Sequence, residues 1–184
     1  MTPLHRQRYA EKEAAGLRPE AENAAEKRTG ESTNGGKRML YTKLTKKALR
    51  ICFDAHRDQV DKSGLPYVFH PFHVAEQMET EEEICTALLH DVLEDTPMTR
   101  EELGREGFPQ SVLDALTLLT RDPAVPYMEY IAAVKENALA RRVKLADLAH
   151  NSDSGRLDRL TEKDLKRLKK YSAARAVLEA EQDC

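Results

Sequence analysis

The chain has 184 residues, of which 40% are hydrophobic and 33% are charged, and its formal net charge is −3. This balance is typical of a folded globular protein of one or two domains and argues against a wholly disordered chain. A general nucleic-acid-binding protein would usually be basic, and no run of about 20 apolar residues could cross a bilayer, so we expect neither nucleic acid nor a membrane as a partner.

The three cysteines, Cys52, Cys85 and Cys184, are an odd and scattered set without a CxxC pair. They predict neither a disulfide framework nor a thiolate zinc site. The first residues also lack the apolar segment of a secretory signal. We therefore expect a reducing, cytoplasmic location.

Residues 1–38 differ in composition from the rest of the chain. Large apolar residues are few, charges alternate in sign, and the segment ends in the turn-rich run TGESTNGG. We predict a disordered or loosely helical N-terminal tail over 1–38 and a folded domain over 39–184.

From residue 40 onward, apolar residues recur at helical spacing, and no stretch alternates for long enough to predict a strand. Pro71 suits the first position of a helix, with His70 at its N-cap edge. Thr80 and Thr99 each precede a glutamate by three residues, which is the spacing of a capping box. Further helices are predicted at 42–60, 81–95, 109–121, 126–136, 138–153 and 162–181. The predicted fold is all-α, a compact bundle of about seven helices.

The predicted helix over 81–95, EEEICTALLHDVLED, has an apolar arc and a polar arc. The polar arc carries four titratable residues: His90, Asp91, Glu94 and Asp95. All four are metal-ligand types, and no lysine or arginine lies among them. This composition favours a functional site over an ordinary solvated face.

Two other segments carry polar residues in apolar surroundings. His70 lies in YVFHP, where a single histidine beside proline is usually structural. Asp147 lies in VKLADLAHN, and a buried carboxylate is unfavourable unless it is paired or bound to metal. At this point a metal site and a salt bridge to a neighbouring cation, such as Arg141, both remain open for Asp147.

In this order, His70, His90-Asp91 and Asp147 resemble the motifs of the HD-domain metal-dependent phosphohydrolases. The longer stretches SGLPYVFHPFHVA, ALLHDVLEDT and ADLAHN resemble the hydrolase domain of the RelA/SpoT alarmone enzymes, over about residues 43–180. A chain of this length has no room for the synthetase domain of the long bifunctional enzymes. It is therefore similar to the small alarmone hydrolases.

The resemblance implies that four residues bind one divalent ion, most often Mn²⁺ in this family: His70, His90, Asp91 and Asp147. Two imidazoles and two carboxylates also suit iron, cobalt or zinc. The resemblance implies removal of the 3′-pyrophosphate from (p)ppGpp, giving GDP or GTP and pyrophosphate.

The resemblance also implies roles for residues around the ion. Glu94 and Asp95 correspond to an acidic pair that would orient or deprotonate the attacking water. Lys62 and Asn151 correspond to residues on the substrate side, where a cation suits a polyphosphate. The implied partner is thus a small-molecule nucleotide.

One position departs from the family pattern. The family has RKSG where this chain has Asp61-Lys62-Ser63-Gly64, and the replaced arginine stacks on the guanine base. A carboxylate cannot make this contact and repels phosphates, so we expect Asp61 to lie at the mouth of the pocket and to disfavour ppGpp. Two alternatives stay open: an HD phosphohydrolase for another nucleotide or phosphorylated metabolite, and a non-catalytic nucleotide-binding module.

The basic run KDLKRLKK, residues 163–170, is predicted to be the solvated face of an amphipathic helix. Leu160, Leu165 and Leu168 would form the packed face of that helix.

Overall fold

The computed structural model of the protein describes residues 41–156 and 160–180, so the tail predicted over 1–38 lies outside the described residues. Its α-helices, numbered in chain order, are α1 Lys43–Ala55, α2 Phe69–Ala75, α3 Glu81–Leu89, α4 Val92–Asp95, α5 Arg100–Arg105, α6 Gln110–Leu119, α7 Tyr127–Lys135, α8 Ala138–Asn151 and α9 Glu162–Glu179. Among the described residues, β-structure is limited to a single bridge between Val60 and Pro66. The all-α prediction is confirmed, with a few more helical segments than expected.

Threonine capping boxes begin four of the helices. The hydroxyls of Thr42, Thr80, Thr99 and Thr161 each accept the backbone N–H three residues later, and the side chain at that later position accepts the N–H of the threonine. Each such cap typically contributes about 1 kcal/mol, because it satisfies N–H groups that have no partner within the helix. The boxes predicted at Thr80 and Thr99 are confirmed.

Helix α3 is the central helix of the bundle. Its six residues from Ile84 to Leu89 are all buried, and helices α1, α2, α6 and α8 pack around it. A helix that is apolar on all sides is expected to lie in the core. Because His90 directly follows this buried helix, its side chain lies in the interior of the fold.

The continuous helix predicted over 81–95 is wrong at His90 and Asp91. Helix α3 ends at Leu89 and α4 begins at Val92, and Asp91 has φ −99° and ψ −6°, which lies in the sparsely allowed bridge region. The Asp95 N–H donates to the Asp91 carbonyl, so helical bonding resumes at once. Apolar residues continue on both sides of this break, which is why hydrophobic periodicity does not reveal it.

Two other helix ends differ from the predictions. Helix α1 stops at Ala55 rather than at 60, with the His56 N–H bonded to the Cys52 carbonyl as its cap. Helix α2 begins at Phe69, so His70 lies inside the first turn and not at the N-cap. Pro71 is tolerated there because N–H groups of a first turn have no helical acceptor. The remaining ends differ by one or two residues, as frayed termini usually do.

Helix α9 packs through a different face from the predicted one. Leu165 is 50% exposed, whereas Ala174 and Leu178 are buried. The packed face continues from these residues toward the start of the helix through Tyr171 and Arg167, at spacings of three and four. Part of the basic run therefore faces the bundle.

In the described part of the chain, no helix is long and apolar enough to span a bilayer.

Candidate metal centre and active site

Four of the sequence-predicted residues converge on one point. His70 comes from α2, His90 and Asp91 from the break after α3, and Asp147 from α8. The His90 Nε2 atom lies 3.0 Å from Asp91 Oδ2 and 3.8 Å from Asp147 Oδ1. The His70 Nε2 atom lies 3.2 Å from Asp147 Oδ1 and 3.7 Å from Asp91 Oδ2. Ligands about 2.0–2.2 Å from one shared ion would be separated by roughly such distances.

The chemistry of this cluster fits a divalent metal ion. His70, His90 and Asp147 are buried, with ligand atoms within 4.8 Å of one another, and the buried His90 Nε2 atom makes no aligned hydrogen bond even to the Asp91 carboxylate beside it. Burial alone would lower the pKa of His90, but the carboxylates of Asp91 and Asp147 outweigh it and raise this pKa to about 9. The cluster thus favours positive charge, and a set of two nitrogens and two oxygens suits a divalent transition metal.

Both histidines are held with Nε2 toward the cluster. The Nδ1 atom of His90 lies 2.7 Å from the Ala87 carbonyl oxygen, to which it donates. The Nδ1 atom of His70 is hydrogen-bonded to Nδ1 of His150 at 2.7 Å, and the His150 ring lies 5.4 Å from that of His73. Such outer contacts commonly fix the ring orientation and tautomer of metal-binding histidines.

Asp147 takes part in a salt bridge and in the cluster at the same time. Its Oδ2 atom accepts from Lys144 Nζ at 2.8 Å, while its Oδ1 atom accepts from the Asn151 amide and faces both histidines. Burial would raise the pKa of Asp147, but Lys144 and His70 hold it well below its usual range. The suggestion that Arg141 forms the salt bridge to Asp147 is wrong. Lys144, three residues before Asp147 on the same helix face, is the cation that the spacing could have indicated.

Tyr67 supports Asp91, a contact that the sequence analysis missed. Its hydroxyl donates to Asp91 Oδ2, and its ring lies 5.1 Å from the ring of buried His56. Burial and the Asp91 charge raise the pKa of Tyr67, so the phenol stays protonated and can donate. The Nδ1 atom of His56 is in turn hydrogen-bonded to Gln59 Oε1 at 2.8 Å.

Of the acidic pair, Glu94 lines the cavity that contains Asp91 and Asp95 does not. Glu94 Oε2 accepts the backbone N–H of Arg121 at 3.1 Å, and Glu94 shares a cavity wall with Asp91. The side chain of Asp95 is exposed, and the Asp95 carbonyl accepts from the Gln59 amide. Partial burial, followed by the charges of Asp91 and Glu94, raises the pKa of Asp95.

Two cavities meet at the cluster, and Tyr67 and Asn151 line both. The turn-side cavity, of about 60 Å³, is also lined by Asp61, Lys62, His70 and Arg167. The tyrosine-side cavity, of about 190 Å³, is also lined by Asp91, Asp147, Arg121, Tyr127, Tyr130, Lys144 and Lys170. Lys62, Asn151 and Asp61 are therefore all next to the cluster, and Arg121, Arg167 and Lys170 join them from segments to which the sequence analysis gave no site role.

Asp61 has a structural role in addition to its place on a cavity wall. Its Oδ1 atom accepts the backbone N–H groups of Ser63 and Leu65 at 2.8 and 3.1 Å, and its Oδ2 atom accepts from the Ser63 hydroxyl. The turn ends at Gly64, whose φ of +80° is strained for other residues. The carboxylate is thus engaged by the turn, and Arg167 brings a cation to the same cavity.

Replacing Asp61 with alanine is expected to lower the free energy of unfolding by about 1 kcal/mol, because the turn loses the acceptor of three hydrogen bonds at a partly exposed site. Asp61→Asn keeps one acceptor oxygen and should lose less. Urea unfolding followed by circular dichroism measures both, with exposed Asp58→Ala as the control. An Asp61→Ala midpoint equal to that of wild type would rule out this role.

Comparisons with known proteins identify relatives in sequence and in fold. No family model matches the chain. It is 40% identical over 116 residues to a guanosine-3′,5′-bis(diphosphate) 3′-pyrophosphohydrolase of Haemophilus influenzae, covering 55% of this chain and 17% of that protein. It is 34% identical over 143 residues to a GTP pyrophosphokinase of Myxococcus xanthus (68% and 18%) and 34% identical over 124 residues to the bifunctional (p)ppGpp synthase/hydrolase SpoT of Escherichia coli K12 (59% and 18%). The chain thus spans less than a fifth of these curated relatives.

The fold has a counterpart among solved structures. A metazoan ortholog of SpoT, described as hydrolysing ppGpp, superposes with a TM-score of 0.63 at 23% identity, covering 78% of this chain and 90% of that one. The chain thus shares the helical fold of that structure. More particularly, its sequence similarity to the named pyrophosphohydrolase and to SpoT agrees with the resemblance inferred from the motifs.

Proposed function

We propose that the protein is a divalent-metal-dependent hydrolase that removes the 3′-pyrophosphate from (p)ppGpp. The observation that carries this proposal is the buried convergence of His70, His90, Asp91 and Asp147, next to cavities lined by cations. Curated relatives at 32–40% identity carry the name of this activity. A polyanionic nucleotide is the kind of ligand that such a site attracts.

The proposed metal is Mn²⁺, held by these four side chains. When bound, such an ion polarises a phosphoryl oxygen and lowers the pKa of a water molecule. The other proposed roles in the reaction are those of protein side chains. Glu94 and Asp95 would take a proton from the attacking water, Lys62 would contact phosphate oxygens, and Asn151 would keep Asp147 oriented while facing the substrate.

The proposed reaction breaks the bond between ribose O3′ and the adjacent phosphorus. Water supplies the hydroxyl group that is added to phosphorus and the proton that is added to O3′, so the products are GDP or GTP and pyrophosphate. We place this activity in a reducing compartment such as the cytoplasm, in keeping with the free, buried thiols of Cys52 and Cys85.

Asp61 favours a second candidate, an HD phosphohydrolase acting on another nucleotide or phosphorylated metabolite, because a carboxylate lines the turn-side cavity. The nearby Arg167 offsets this charge, which supports ppGpp as the first candidate. A non-catalytic nucleotide-binding module is disfavoured, since the four candidate ligands and the acidic pair Glu94-Asp95 are all present.

Purified protein supplied with Mn²⁺ is expected to release one pyrophosphate for each GDP formed from ppGpp, and a chelator should stop this release. The measurement separates pyrophosphate from orthophosphate across a panel of ppGpp, GTP, ATP and deoxynucleotides. Phosphate release from another nucleotide, with ppGpp untouched, would favour the second candidate. Tight nucleotide binding without turnover of any substrate would favour the binding module.

A further inference from the structure

The tyrosine-side cavity contains three cations arranged around two aromatic rings. The Nζ atom of Lys170 lies 4.3 Å from the centroid of the Tyr127 ring, and the Arg121 guanidinium carbon lies 5.7 Å from the same centroid. The Nζ atom of Lys144 lies 5.6 Å from the centroid of the Tyr130 ring. These groups come from α8, α9 and the loop before α7, so only the tertiary fold brings them together.

Two of these cations have no acidic partner. Lys144 is paired with Asp147, but within the described residues neither Arg121 nor Lys170 forms a salt bridge. Partial burial, followed by repulsion from Arg121 and Lys144, lowers the pKa of Lys170. Like charges gathered in this way repel one another, and a bound anion would remove the repulsion.

Two donors in the same place are also unsatisfied. The Arg121 Nε atom and the Tyr127 hydroxyl are buried, and neither has a hydrogen-bond partner. Buried donors without acceptors are unusual in folded proteins, and each is a reason to look for a ligand. A phosphate group offers several acceptor oxygens and negative charge together, which matches a guanidinium, an ammonium and a phenol.

The position of the cavity links it to the candidate reaction. Asp91, Asp147 and Asn151 form one part of its wall, so a group held by Arg121, Tyr127 and Lys170 lies next to the metal cluster. A phosphate chain whose reacting phosphorus is at the cluster has its remaining charge within reach of these side chains.

We propose that Arg121, Tyr127 and Lys170 form a phosphate-binding subsite, which holds the pyrophosphate part of the substrate and the pyrophosphate released from it. This assignment rests on the proposed function for the choice of ligand. It gives a role to residues from the loop before α7 and from the basic run 163–170. In that run, the side of α9 that carries Lys170 faces the site, whereas its neighbour Lys169 is exposed and lines neither cavity at the cluster.

The test measures binding of inorganic pyrophosphate by isothermal titration calorimetry, in one metal-containing buffer so that metal binding by pyrophosphate is common to all titrations. Arg121→Gln and Lys170→Gln are each expected to weaken binding by about tenfold or more, the scale of a lost charge-assisted hydrogen bond. Tyr127→Phe removes one neutral donor and should weaken it by a few-fold. Lys169→Gln, the matched control on α9, should bind as wild type does. With ppGpp, the first two variants should raise KM more than they lower kcat.

Wild-type affinity for pyrophosphate in both Arg121→Gln and Lys170→Gln would overturn the subsite, as would a wild-type protein that does not bind pyrophosphate. Because Lys170 is a surface residue with only part of its side chain buried, its replacement should leave the fold intact, and it still tests the subsite if Arg121→Gln is unstable. The measurement of pyrophosphate binding does not depend on hydrolysis of ppGpp. Weakened pyrophosphate binding in a protein that leaves ppGpp intact would support the subsite and reject the proposed substrate, whereas ppGpp hydrolysis with unchanged binding would do the reverse.

Discussion

Replacing Asp91 with alanine is expected to remove bound metal and hydrolytic activity together. Asp91 Oδ2 lies 3.0 Å from His90 Nε2 and 3.7 Å from His70 Nε2, so its loss removes one anionic group from the four proposed ligands. Loss of an outer contact to a metal ligand typically weakens metal binding by about 10- to 100-fold. Loss of a ligand itself should weaken it by at least about 100-fold. Metal content after dialysis and pyrophosphate release from ppGpp measure the two effects on the same samples.

Alanine at this position also leaves the Tyr67 hydroxyl without its acceptor, which alone can lower stability by about 1–3 kcal/mol. Asp91→Asn keeps an acceptor for Tyr67 while removing the charge, and it should still lose metal. Asp58→Ala, on an exposed turn, controls for loss of an aspartate elsewhere. Full metal content in a folded Asp91→Asn protein would remove Asp91 from the metal site.

Replacing Glu94 with glutamine, or Asp95 with asparagine, is expected to keep the metal and slow turnover by about 100-fold or more. This is the usual scale of general acid–base assistance, which an amide cannot provide. The Glu94 side chain accepts the Arg121 backbone N–H at 3.1 Å, and a glutamine oxygen can keep this bond. Steady-state kcat for ppGpp and metal content, determined side by side, separate loss of the base from loss of the ion.

Glu101→Gln provides the matched control, because Glu101 is an exposed glutamate in the first turn of α5. It should leave kcat and metal content unchanged. Normal turnover at full metal content in both the Glu94 and the Asp95 variants would exclude the acidic pair from the mechanism. A variant that loses metal as well would instead assign its carboxylate to the metal site.

Local sequence determined the helical class of the fold and the order of its motifs. Helical periodicity and capping boxes act over three or four residues, so Thr80 and Thr99 could be placed at helix starts without any knowledge of the fold. The polar arc of the predicted helix 81–95 singled out His90 and Asp91 as ligand types, whereas His70 and Asp147 were assigned to a metal site by the resemblance to the HD-domain phosphohydrolases.

Only the tertiary structure decided how these residues meet. The helix is interrupted at His90 and Asp91, between Leu89 and Val92, and periodicity cannot detect this break because buried apolar residues flank it on both sides. The partner of Asp147 is an exception, because Lys144 lies three residues earlier on the same helix face and helical spacing alone could have selected it over Arg141.

The sequence could not predict that the cations of the tyrosine-side cavity lie close together. Arg121 and Lys170 are 49 positions apart in the chain, and both lie against Tyr127 because α7, α8 and α9 pack together. In the sequence, Lys170 belongs to a basic run that resembles any solvated helix face. Ala174 and Leu178, near the end of α9, are its buried residues. Because a helix is rigid, their packing also determines the direction in which the Lys170 side of the helix faces. Contacts between distant segments depend on such packing, because local spacing specifies which side of a helix is apolar but not which neighbour that side will meet.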